Sequence, residues 1–460
     1  MLDQVGRYLA AVVDGLADAP LSDRSGVATV LADPDVRRLP SEAGRPLADL
    51  LEVIDRASGP SFPTPSPGFL AFIVGGGLVT SAVGDLVGGV LNRYTGLAAP
   101  APGLVAMEAD VLRWLGDLVG MPAGSAGVLT TGASLATLSA LVAARHDRLG
   151  EHFLDGVLYV TDQTHLACAR AARVAGLPEA SVRVVATDGS LRMDVPALRA
   201  EIARDRAAGR RPWCVVGSAG TTNTGVIDPL QTLADLAAAE GLWFHVDAAY
   251  GGAFALTERG RARLAGIERA DSVVLDMHKG FFLPFGTGCL LVRDEPALRA
   301  AHASGAAAYL ADASAPDDEL PDFSAYTPEL TREYRGLRLW LPLQLHGVAA
   351  FRAALDEKLD LAELAHAELS TDPRLDVHAP PTLATIAFRM SGTGGAADAA
   401  TVELLRRVNA EQRVFLSGTG IAGRAWARIC VLNHRTDEAR VREALEAITR
   451  HAADLAPSAA

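Results

Sequence analysis

"WCVVGSAGTTNTGVIDPLQTLADLAAAEGLWFHVDAA", residues 213–249, opens and closes on short apolar runs, WCVVGSAG and LWFHVDAA. Similar runs occur at 156–161 (GVLYVT), 182–187 (VRVVAT) and 272–277 (SVVLDM). They alternate with helical segments such as LVAMEADVLRWLGDLVG at 104–120 and SLATLSALVAARHDRLG at 134–150. Short buried strands alternating with helices predict an α/β fold, a mostly parallel central sheet with helices on both faces. In open sheets of this kind ligands bind at the carboxyl ends of the strands, so polar residues there are the candidates for chemistry.

Working outward, residues 1–60 read as helices, VGRYLAAVVDGL and then PLADLLEVIDRAS with a proline near its start. GPSFPTPSPGF at 59–69 carries four prolines and predicts an extended connection. The stretch 68–91, GFLAFIVGGGLVTSAVGDLVGGVL, is apolar but holds seven glycines and Asp85. A membrane-spanning helix needs about twenty continuous apolar residues, so a glycine-rich loop running into a buried helix is expected instead. The polar, non-periodic stretch 311–330 predicts a mobile loop. From about residue 345 the order changes to a long helix, TLATIAFRM, a helix, RVFLSG, AWARICVL and a last helix, a smaller C-terminal α+β domain. The expected division is 1–65 (N-terminal helical segment), 66–343 (large domain) and 344–460 (small domain).

Composition excludes several classes. The 460 residues are 49% hydrophobic and 21% charged, enough for two or three domains with a generous core. A net charge of −13 and no basic stripe argue against nucleic-acid binding. The four cysteines lie far apart with no C-x-x-C pair, which argues against a structural zinc site or disulfide framework and for a reducing cytoplasm. The first twenty residues lack a basic region and do not read as a secretory signal.

Only two of the 42 Lys and Arg residues are lysines, Lys279 and Lys358. Arginine replaces lysine as a surface charge but not where chemistry needs a deprotonatable amine. Lys358 lies among acids at 356, 357 and 360 and reads as a solvated helical charge. Lys279 is followed by ten uncharged residues, Phe281 to Leu290, a poor setting for a solvated one.

Other strand ends supply further groups. Gly132, Ala133 and Ser134 open a helix, where free N–H groups and the dipole suit a phosphate, although such a turn is also an ordinary helix cap. His165 follows a strand, a polar Thr-Thr-Asn turn occupies 221–223, and Asp247 ends a buried strand. His245 and Asp247 form only an H-x-D pair with no third ligand nearby, so no metal is predicted. A lysine for a Schiff base, an acid for a ring nitrogen, a phosphate cup and an imidazole are together the requirements of pyridoxal phosphate. No G-x-G-x-x-G follows a strand, and neither lysine sits in a Walker A pattern.

PSPGFLAF, MEADVLRWLGDLVGMP, GVLTTGASLATLSAL, DQTHLACARAA, AGTTNTGVIDPL, WFHVDAAYGG, ADSVVLDMHKG, REYRGLRLWLPLQLHG and RVFLSG stand in the order of one family and cover most of the chain. The sequence resembles the pyridoxal-phosphate-dependent group II decarboxylases, which act on aromatic amino acids, histidine, glutamate and cysteine sulfinate. The resemblance implies a type I, aspartate aminotransferase-like fold and a cytoplasmic homodimer with shared active sites, the N-terminal helices packing across the interface. It makes Lys279 the cofactor's Schiff-base partner, Asp247 the partner of the pyridine nitrogen and His165 the stacking and proton-handling group. Ala133 and Ser134 would hold the phosphate, with Thr222, Ala249, His278 and Asp276 lining the cofactor site. Phe72, Phe285 and Arg428 are its candidates for contact with substrate.

The chain departs from the family pattern at several positions. Asp276 and Met277 stand where relatives often have Asn, Ser or Pro, and Gly280 where many have Trp. Phe72, Ile73 and Val74 replace a Tyr-Phe-Pro stretch of the aromatic members. The loop tyrosine that protonates Cα in aromatic decarboxylases aligns with Phe323, and Tyr326 serves if the register differs. Decarboxylation of an L-amino acid to an amine is the implied reaction. Its alternatives are an aldehyde-forming oxidative deamination or other Cα-bond cleavage and, more remotely, an inactive binding protein of the same fold.

Overall fold

The computed structural model describes residues 1–303 and 320–456. They form two compact units: 1–72 with 361–378 and 386–456, and 73–303 with 320–360 and 379–385. Residues 66–72 group with the C-terminal strands, and the later boundary falls at 360/361 inside the helical stretch Gly336–Ser370, which is broken by a kink at Gly347 (φ 74°), four residues beyond the expected 343/344.

The second unit is built on a seven-stranded sheet: β1 Ala126–Thr130, β2 Gly156–Thr161, β3 Val182–Val185, β4 Arg211–Ser218, β5 Trp243–Asp247, β6 Ser272–Asp276 and β7 Gly288–Val292. The order is β1-β7-β6-β5-β4-β2-β3. Neighbours from β6 through β3 are parallel, and β7 runs antiparallel to both β1 and β6. All residues of β2, β6 and β7 are buried, which is why these strands read as continuous apolar runs.

The first unit carries a smaller sheet, ordered β10-β11-β9-β8, from β8 Leu375–Val377, β9 Thr385–Met390, β10 Ser417–Ile421 and β11 Arg424–Cys430. RVFLSG supplies only the first residues of β10. Its Phe415 instead bridges to Phe69 and stacks on Phe62 and Phe69 at 4.7 and 5.4 Å, an aromatic cluster that takes the segment out of the ladder. The proline-rich segment 59–69 contains no helix or strand.

Three expectations are corrected. The glycine-rich stretch does run into a helix, Val79–Leu91, but its buried face is the small one, Ser81, Gly84 and Gly88. Val79, Val83, Leu86, Val87 and Val90 are exposed, because the glycines let the backbone approach Leu337 and Tyr334 and turn the bulky side chains outward. Lys358 is fully buried, with its ammonium 2.8 Å from the half-exposed Glu357 carboxylate. An apolar stem packs inside while the head finds an acid, so local charge density misread this lysine. Of the stretch expected to be mobile, 311–319 lies outside the described residues. Residues 320–330 are anchored: Ser324 N–H donates to the Gly96 carbonyl at 2.9 Å, and Asp322 accepts from the Ala98 N–H at 2.8 Å. No helix among the described residues is long and apolar enough to cross a membrane.

Candidate active site

The carboxyl ends of β4, β5 and β6, the turn after β2 and the start of the helix Ala133–Leu149 surround a cavity of about 370 Å³. Lys279, Asp247, His165, Thr222, Ala249, Ala133, Ser134, His278 and Asp276 all line it. A helix start, three strand ends and a turn thus converge as the rule for open α/β sheets requires.

Lys279 sits in a turn after β6, where its N–H donates to the Asp276 carbonyl at 3.0 Å and its own carbonyl accepts from Phe282. Gly75 packs on this turn so closely that a Cβ would lie 2.2 Å from the Lys279 carbonyl oxygen, so the glycine-rich loop supports the lysine. The Lys279 ammonium is 3.6 Å from Asp276. Asp247 ends β5, and its Oδ1 accepts the Ala249 N–H at 3.1 Å. Gly288 of β7 permits the close approach of the Gly132–Ala133 peptide, since a Cβ there would meet Ala133 N at 2.6 Å.

The histidines are held neutral. Burial pushes His165 down from its ordinary value; Asp247 opposes this and Lys279 adds to it. His165 Nδ1 accepts the Ala167 N–H at 3.3 Å, so the neutral ring carries its proton on Nε2. Burial, then Lys279, pushes His278 down to about 4. Asp276 goes the other way: burial raises its carboxyl to about 6, although Lys279 and the Ala133 N–H pull it down.

The cavity also takes in Thr137, Ser218 and Tyr250, to which no role was given from sequence. Thr137 is four residues beyond Ala133 on one helix face, a spacing that could have found it. Tyr250 lies inside WFHVDAAYGG, and its hydroxyl accepts the Ala384 N–H at 2.9 Å.

Phe323, Tyr326, Phe72, Phe285 and Arg428 are not among the residues lining the cavity. Phe323 is fully buried, with the Arg332 guanidinium 4.9 Å from its ring. The Tyr326 hydroxyl donates to Glu295 at 2.8 Å, and burial and that carboxylate raise its pKa. Phe285 is exposed and meets the His278 ring edge-on at 5.3 Å. Phe72 and Arg428 belong to the first unit, where the buried Arg428 donates to the carbonyl of Phe72, a residue in the left-handed region at φ 55°.

The pyridoxal-dependent decarboxylase conserved domain matches residues 41–391. The chain belongs to the pyridoxal-dependent decarboxylase family. An aromatic-L-amino-acid decarboxylase of Bacillus atrophaeus is 34% identical over 374 residues, covering 80% of this chain and 78% of that one. A phenylacetaldehyde synthase of Arabidopsis thaliana is 29% identical over 405 residues, covering 85% and 82%. The Oryza sativa TDC solved with PLP and tryptamine superposes with a TM-score of 0.88 at 28% identity, over 98% of each chain. The family's cofactor is pyridoxal phosphate and its reaction is decarboxylation. The lining of the cavity suits that cofactor: a primary amine, a carboxylate at the carboxyl end of the neighbouring parallel strand, and a helix start whose first N–H groups have no intrahelical acceptor.

Proposed function

We propose that this decarboxylase removes CO2 from an L-amino acid with Lys279 holding the cofactor covalently. The observation that carries this reading is that the Lys279 amine, the Asp247 carboxylate and the Ala133–Ser134 helix start line one cavity. When bound, the cofactor supplies an electron sink for the pair released as CO2 leaves. Asp247 would pair with the ring nitrogen and keep it protonated. His165, neutral with its proton on Nε2, would stack on the ring and help with the substrate's carboxylate or a proton. Ala133 and Ser134 bind the phosphate through backbone N–H groups, and Thr222, Ala249 and His278 complete the walls. Phe72, Phe285 and Arg428 are the candidates for substrate contact. The chain works as a cytoplasmic homodimer with shared sites, a reading supported by its four buried free thiols and its uncovered apolar helix faces.

Incubation of the purified protein with PLP, air and a panel of L-amino acids tests the reaction, with products identified by mass spectrometry. An amine lighter by one CO2 is expected; bound cofactor with no amine from any substrate would sink the reading.

The second reading is oxidative: dioxygen takes the electrons left after CO2 leaves, water is consumed, and aldehyde, ammonia and hydrogen peroxide are released. Phe323 stands where the protonating tyrosine is expected, and Tyr326 is engaged with Glu295. A phenylacetaldehyde synthase is among the relatives. Phe323→Tyr tests it: a product ratio that does not move between aldehyde and amine excludes a role for this position.

A further inference from the structure

One carboxylate of this chain occupies the backbone N–H that the cofactor's phosphate needs. Asp276 ends β6 and is nearly fully buried, and its Oδ1 accepts the Ala133 N–H at 3.3 Å. That N–H opens the helix Ala133–Leu149, where the dipole and amides without an intrahelical acceptor favour an anion. Two anions at one helix start repel each other. A protonated carboxyl carries no charge and gains an O–H donor, so it can sit beside a phosphate.

We propose that Asp276 is a proton-coupled seat for the cofactor phosphate: its carboxylate competes for the Ala133 N–H, and cofactor binding draws one proton from solvent onto it. The inference goes beyond the assigned reaction and rests on the phosphate lying at the Ala133–Ser134 helix start.

The groups around Asp276 set when the proton arrives. Lys279 Nζ lies 3.6 Å from Oδ2, and His278 Nδ1 lies 3.1 Å from Oδ1. Asp247 of β5 and His165 of the turn after β2 interact with it through space. Burial already lifts the carboxyl to about 6, and Lys279 is the main charge holding it down. His278 is kept neutral by its own burial and adds no positive charge near pH 7. Engaging the Lys279 amine in the cofactor weakens its hold on the carboxylate, and the phosphate adds repulsion. Both changes favour the protonated form.

The test is calorimetric titration of the cofactor-free full-length protein with PLP, and separately with inorganic phosphate, from pH 6 to 8.5. Two buffers of different ionisation enthalpy give the number of protons taken up. Comparing wild type with Asp276→Asn cancels the protons moved by Lys279, His165 and the phosphate itself. Wild type should take up about one proton more than the variant near pH 7.5, and at pH 8 the variant should bind both probes about tenfold tighter or more. Equal proton counts, or equal or weaker binding by a variant that unfolds at the wild-type temperature, would overturn the proposal. If Asp276→Asn does not fold, Asp276→Ser removes the same charge and is read the same way. The visible absorbance of lysine-bound cofactor is recorded in parallel. A wild-type band without a proton difference defeats the role of Asp276 alone; no wild-type band defeats the Lys279 assignment and this inference with it.

Discussion

A lysine and an arginine carry the same charge at pH 7, yet only one can lose its proton and attack a carbonyl. Lys279→Arg therefore separates chemistry from electrostatics. The guanidinium can still pair with Asp276, so the fold should survive, while the visible absorbance of bound cofactor and the decarboxylase activity should both vanish. Activity above about one-thousandth of wild type would show that Lys279 does not hold the cofactor. His245 gives a second prediction at this scale. It is fully buried, its Nδ1 lies 2.8 Å from Ser272 Oγ, and burial pushes it down to about 4. Between pH 6 and 4.5 the unfolded chain protonates this ring and the folded chain does not, so it makes stability fall as pH falls. Asp228 and Asp276, each raised to about 6 by burial, act with the opposite sign, because the folded chain binds their protons first. His245→Gln should thus reduce the slope of unfolding free energy against pH in that window by up to about 1.4 kcal/mol per pH unit. Denaturant unfolding at four pH values measures it, and an unchanged slope would mean the ring is already charged in the fold. Much of the site was legible because strand ends announce themselves: Asp247 and Lys279 each follow an apolar run. Ser218 and Tyr250 were not, because ordinary residues reach the cavity by their place on an element rather than by their chemistry. Lys358 was misread because a buried lysine and a solvated one look alike in a charged helix.

The elements of the central sheet followed from sequence because buried parallel strands must be apolar throughout, a pattern that no solvated segment imitates. Helix Val79–Leu91 shows where that logic stops. An apolar helix was expected to be buried, but hydrophobicity does not say which face packs, and here the close approach of backbones chose the glycines. The same helix offers a matched pair of substitutions. Alanine is favoured over glycine in a helix by about 1 kcal/mol. Gly89 has open space around its Cβ position, so Gly89→Ala should stabilise by roughly 0.5–1 kcal/mol. At Gly84 the new Cβ would lie 2.6 Å from the Leu337 carbonyl oxygen, a backbone atom that cannot swing away. Gly84→Ala should cost about 1–3 kcal/mol despite the gain in propensity. Thermal unfolding of the two variants decides it; equal shifts would mean that the glycine face does not pack as described.

At the scale of the whole molecule, the apolar surface left uncovered is the main unexplained feature. Val79, Val83, Leu86, Val87 and Val90 recur at helical spacing on one exposed face of the second unit, and Val90 is 76% exposed. In the first unit, the helices Leu2–Asp14 and Leu47–Ser58 have no buried residue, while Leu2, Leu9, Leu50 and Ile54 are exposed. An amphipathic helix gains stability only by burying its apolar face, so faces of this size imply a partner. A net charge of −13 favours solubility but does not cover them. A second copy of the chain would present the same faces, and a symmetric interface would bury them without any other component. Sedimentation velocity at micromolar concentration should therefore find a dimer. The double substitution Val83→Glu with Val90→Glu buries two carboxylates in that interface. Like charges facing across a two-fold axis should weaken association about a hundredfold or more, because an unpaired buried carboxylate is costly. Leu154→Glu, at another exposed leucine in a turn, is the control and should leave the dimer intact. A wild-type monomer, or a double variant that sediments like wild type, would remove helix Val79–Leu91 from the interface. If the dimer dissociates and activity falls with it, the cavity of a single chain is an incomplete site. That outcome would place part of the substrate site on the partner subunit, which would explain why a single sequence names the cofactor's residues so much more readily than the substrate's.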